Sequence, residues 1–150
     1  VADGAEGRSR GGDLSDIEIT LEFCNYLPLR DQMLRDVDRQ CGLTAHQVLA
    51  RARILIQSGP KTGKVYKHGN VLHQASAPGE APASDTGALA SNSKAERESL
   101  AHWLVIFFQK YAPDLEFGTP NILPRFFLRP AVAAEKQAFV AAMKRIVGDT

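Results

Sequence analysis

Acidic residues are missing from one long stretch of this chain: between Arg39 and Gly79 there is no Asp or Glu. The same stretch carries Arg39, Arg51, Arg53, Lys61, Lys64 and Lys67, with His46, His68 and His73, although the whole chain has a net charge of only +1. A local basic field of this kind attracts phosphates or an acidic protein surface. A solvated face is the plainer alternative.

Other absences exclude whole classes of protein. Long apolar runs are lacking, and Trp103 to Phe108 falls far short of the roughly 18 residues of a spanning helix. The first thirteen residues, VADGAEGRSRGGD, have no apolar centre. They do not read as a secretory signal, so synthesis and use in a cytoplasm are expected. They also have no apolar period, so residues 1–13 are expected to be a flexible arm, with 14–150 a single α+β domain. Only two cysteines occur, Cys24 and Cys41. In a reducing compartment both are expected to be free and packed.

Catalytic and metal-binding patterns are equally scarce. There is no Cys-x-x-Cys, and no two of His46, His68, His73 and His102 stand at the i, i+4 spacing that puts two ligands on one helical face. His68 and His73 are close enough to meet across a hairpin, but a satisfied or solvent-facing histidine is the expectation. No Gly-x-Ser-x-Gly elbow is present. Gly59-Pro-Lys-Thr-Gly-Lys64 resembles a phosphate loop, yet it is one residue short between its glycines. It also has Val65 where Ser or Thr would hold magnesium, and it follows a helix rather than a strand. Asp114 and Glu116 are neighbours that nothing marks as an acid–base pair. The expectation is a non-enzyme without catalytic residues, metal or cofactor.

What is present reads as alternating elements. Ile17, Ile19, Leu21 and Phe23 alternate with polar residues, the period of a half-buried strand. From about Leu29 to Ile56, apolar positions including Met33, Leu34, Val37, Cys41, Val48, Leu49, Ala52 and Ile56 step by three and four along one helical stripe. Gly42 interrupts it, so the helix is expected to kink or split there, with Thr44 capping a second piece. Ser58-Gly59-Pro60 ends it. Val65-Tyr66 and Val71-Leu72-His73 can pair across His68-Gly69-Asn70, inside a long loop running from 59 to 87. Residues 94–112 fit helical spacing and also a buried strand. An irregular, proline-rich stretch, 113–130, leads into a last helix that Pro130 opens and Gly148 ends.

Two stretches are more specific: SAPGEAPASDTGAL, Ser76 to Leu89, and YAPDLEFGTPNILPRFFLRPA, Tyr111 to Ala131. With the lead-in Lys61-Thr62-Gly63-Lys64-Val65-Tyr66, the chain resembles the tail-completion or neck proteins, the head–tail joining family of long-tailed bacteriophages and prophages. The likeness runs from about Asp31 to Val147. It departs from the usual Arg-Pro-Phe at Arg125-Phe126-Phe127, and from the usual Ser-Ile at Asn92-Ser93-Lys94. The family pattern favours strands for the ambiguous segment.

The resemblance implies an antiparallel sheet packed on a long N-terminal and a C-terminal helix, with a long extended loop. It also implies a structural virion protein, a subunit of a homo-oligomeric ring, expected to be a hexamer, around the DNA channel. Such a ring is a tail terminator or head–tail connector, assembled in the bacterial host cytoplasm. Its neighbours would be connector and tail-tube proteins and the passing DNA, with no membrane. Glu116, Phe117, Arg125, Phe126, Phe127 and Arg129 are the expected subunit contacts, because interface cores favour aromatics and Arg. Lys61, Lys64, Lys67 and His68 are expected to face the lumen or a neighbouring ring. Asp85, Thr86, Gly87, Gly118 and Pro130 are expected to shape turns. The competing class is a small DNA-binding module using the basic 39–79 region.

Overall fold

The computed structural model describes residues 14–148, with side chains from Leu27 onward; the expected arm at 1–13 lies outside the described residues. The order is α1 (Leu14–Ser58), β1 (Val65–His68), β2 (Val71–Gln74), α2 (Ala88–Ser91), β3 (Ser93–Ser99), β4 (His102–Phe107), α3 (Ala112–Phe117) and α4 (Leu128–Val147). The class is α+β, with two separate two-stranded antiparallel sheets, β1–β2 and β3–β4. No described helix is long and apolar enough to cross a membrane.

The strand expected at Ile17–Phe23 is instead the beginning of α1. The alternation that suggested a strand also contains the i, i+4 pairs Ile17/Leu21 and Ile19/Phe23, which suit a helix equally. The helix continues through Pro28, which forfeits one backbone hydrogen bond. Cys24 and Cys41 thus share one helix, seventeen positions apart. At a rise of about 1.5 Å per residue that is far beyond the span of a disulfide.

Thr44 opens no second helix, and α1 is not split at Gly42. A Cβ there would meet the Trp103 ring at 2.8 Å, so the glycine is where β4 lays its indole against the helix backbone. The indole is fixed by Asp38, whose carboxylate accepts from Trp103 Nε1 at 3.1 Å, the Ala101 amide at 2.9 Å and Arg97 Nε at 3.0 Å. The Ala101 amide first, then Arg97, hold the Asp38 carboxyl below its ordinary value of 3.8. These bonds tie the β3–β4 turn to α1, including Ala101 at φ 58°.

The core lies where α1 from Val48 to Ile56 meets α2, α3 and the first turns of α4. Its buried members include Val48, Ala52, Ile56, Leu89, Phe127 and Ala131. Phe127 is 1% exposed and meets Phe107 of β4 edge-on, with centroids 4.9 Å apart. The buried edge of α4 is Ala131, Glu135 and Ala142, whereas Val132 and Val140 are exposed. Small residues let α4 approach α1 closely, and Arg51 of α1 clamps Glu135 at 2.6 Å.

Candidate interaction surface

The second motif folds around one carboxylate. Glu116, on α3, is buried and accepts backbone hydrogen bonds from Phe127 at 3.0 Å, Leu128 at 3.0 Å and Arg129 at 2.9 Å. These are the free amides at the start of α4, so Glu116 caps that helix from eleven residues upstream. Gly118, at φ 77°, turns the chain back; a Cβ would lie 2.9 Å from the Ile122 carbonyl and Pro124. Pro130 sits in the first turn of α4, as expected.

Two of the six expected contact residues are therefore interior. Glu116 and Phe127 are buried and hold α3, α4 and β4 together, so they lie in the interior and not on a contact surface. Arg125 is half-buried, with its amide donating to the Leu115 carbonyl. The remaining three form one surface group. The Arg129 guanidinium lies 4.6 Å from the Phe126 ring centroid and 5.8 Å from that of Phe117, which is 70% exposed. Ile122 and Leu123 are exposed close by in sequence.

The first motif is pinned by another carboxylate. Glu80 accepts from the Thr62 hydroxyl at 2.5 Å, the Thr62 amide at 3.0 Å and the Ala77 amide at 2.8 Å. Thr62, through both groups, and then Ala77 hold the Glu80 carboxyl below its ordinary 4.5. Gly63 and Lys64 extend the β1–β2 ladder to Ala75, and a Cβ on Gly63 would come within 2.7 Å of the Ser76 carbonyl. The 59–87 stretch is thus an organised strut with a hairpin at its tip, rather than a structureless loop. Thr86 Oγ1 accepts from the Ala88 amide at 3.4 Å and Gly87 takes φ 75°, so both shape the expected turn. Asp85 makes no hydrogen bond to the turn; its Oδ1 lies 2.9 Å from His73 Nδ1.

The hairpin itself pairs as expected, with Tyr66 opposite His73 and His68 opposite Val71. One face carries Tyr66, His68, Val71 and His73, the other Val65, Lys67, Leu72 and Gln74. All of these except His73 are exposed, Leu72 at 72%. Among the described residues Lys61, Lys64 and Lys67 make no ion pair. The acid-free stretch is less basic in space than in sequence. Arg39 pairs with Asp36, Arg51 with Glu135, and Arg53 donates to Ser93, while Glu80 and Asp85 fold back against the loop. Among the described residues, positive charge without an acidic partner in this stretch is left on the three lysines and on half-buried Arg53.

No protein-family model matches the chain, and neither the curated proteins nor the solved structures compared with it contain a match.

Proposed function

We propose that the chain is a structural subunit of the neck or tail-completion assembly of a tailed bacteriophage, acting as a tail terminator or head–tail connector in a closed ring. The observation that carries this reading is the β1–β2 hairpin. It presents Val65, Val71 and Leu72 to solvent and stands outside the core. A two-stranded hairpin is marginal by itself, and apolar side chains held out on one become useful when a neighbour covers them. Phe117, Phe126 and Arg129 offer a second surface of the composition that interface centres favour. Two different surfaces on one subunit suit a head-to-tail ring, in which each patch meets the other patch of the next copy. The motifs that resemble the neck family supply the framework behind both surfaces: Glu80 behind the hairpin, Glu116 behind the aromatic group.

Leu72→Asp and Arg129→Ala test this directly. Each variant should fold as the parent chain does, yet give tailless heads or unjoined tails when it replaces the parent chain during phage growth. Normal particle yields from both would remove the assembly role. A DNA-contacting role is favoured by one observation, the three unpaired lysines of the strut and hairpin. It predicts that affinity for free duplex DNA falls steeply with salt as counterions are released, and that changing all three lysines to Gln abolishes it.

A further inference from the structure

We propose that His68, His73 and Asp85 form a binding site for a divalent transition-metal ion of the zinc type, joining the hairpin to the Asp-Thr-Gly turn. This inference does not depend on the assembly reading.

The geometry is set by the backbone. Antiparallel register puts His68 and His73 diagonally on one hairpin face, with ring centroids 6.1 Å apart. His73 is held by stacking on Tyr66, its cross-strand partner, at 5.9 Å and 28°. The turn after Pro82 brings Asp85 against that face. Its Oδ1 is 2.9 Å from His73 Nδ1 and its Oδ2 is 3.9 Å from His68 Nδ1. One ligand atom from each of the three residues lies within 4.8 Å of the others.

Metal–ligand bonds of about 2.0–2.2 Å require donor atoms somewhat closer than this. The adjustment falls to His68, whose side chain is 71% exposed and free to rotate. Proximity to His73 accounts for the position of Asp85, but nothing in the fold requires a second imidazole to converge on the same carboxylate.

The donor set decides the ion. Two imidazole nitrogens and one carboxylate oxygen suit zinc, cobalt or nickel, whereas magnesium and calcium prefer all-oxygen shells. Ligation through His73 Nδ1 would leave that ring's one proton on Nε2, with Nδ1 and an Asp85 oxygen facing the ion. Three protein ligands leave a fourth position for water. The effect would be structural: the exposed hairpin, otherwise tied to the body through Glu80 and the ladder to Ala75, gains a second attachment at its tip.

The test is titration of the full chain, reduced and in a non-chelating buffer, with zinc chloride, followed by calorimetry and by long-range imidazole ¹H–¹⁵N spectra. One zinc per chain is expected, with His68 and His73 resonances perturbed and those of His46 and His102 unchanged. His73→Ala and Asp85→Asn should each weaken binding by more than the about 10–100-fold typical of losing an outer-shell partner. The double variant H68A/H73A should not bind. Failure of stoichiometric binding, perturbation of other histidines instead, or full affinity in the double variant would each overturn the site. The parent chain's spectra decide the matter even if a variant misfolds.

Discussion

The body of the molecule and its hairpin strut are built by opposite rules. In the body, side chains with high chemical specificity are spent on the fold itself: Glu116 on three amides, Asp38 on an indole, an amide and a guanidinium, Glu135 on Arg51. In the hairpin, apolar and basic side chains point to solvent, and only Glu80 and Asp85 reach in from outside. The difference separates residues that make the fold from residues that the fold leaves at its surface. A composition-level reading treats Phe127 and Phe117 alike. Their burial, complete in one and nearly absent in the other, assigns them opposite tasks.

That division can be broken at graded cost. Phe127→Ala empties the centre of the core and should destabilise by about 3–5 kcal/mol, read from chemical denaturation. Glu116→Ala leaves three helix-start amides unpaired in a buried place and should cost about 2–3 kcal/mol. A loss under about 0.5 kcal/mol would return Glu116 to the surface role its sequence context suggested. Gly42→Ala sets about 1 kcal/mol of helix propensity against overlap with an indole that Asp38 holds in place. A net loss of about 1–2 kcal/mol is expected, and a gain would show that Trp103 is free to move.

A smaller effect concerns pH. Asp38 and Glu80 both have folded pKa values below their ordinary 3.8 and 4.5. Their stabilisation is therefore complete above those ordinary values and is lost as pH falls through the lower folded ones. Acid titration of stability should steepen below about pH 4.5, and Glu80→Gln should flatten part of that slope. At the bottom of the scale, Val71→Ser with Leu72→Ser should change stability by less than about 0.5 kcal/mol. A large loss would place the hairpin in the core and erase the contrast.

Much of the fold was legible. The hairpin at 65–74, α4, and the buried stripe of α1 follow from period and turn chemistry. The strands at 93–107 were ambiguous from period alone, since Leu100, Trp103, Leu104 and Phe107 fit both periods. The N-terminal strand was misread because seven alternating residues contain helical i, i+4 pairs as well. Gly42 was misread because a packing reason for a glycine lies in a residue 61 positions away. At the candidate surface, residue types were informative and burial was not. Glu116 and Phe127 looked like contacts because a cap received from α3, and a core position on the last residue before α4, leave no local signature. The meeting of His68, His73 and Asp85 had a partial signal in the hairpin spacing, but the carboxylate arrives through a turn whose direction only the structure gives.

The assembly role is most directly tested by quantitative mass spectrometry of purified particles from a phage or prophage encoding this chain. Several copies per particle are expected, in a fixed number set by one ring and located at the junction between head and tail. Absence from the particles, or a single copy, would contradict it.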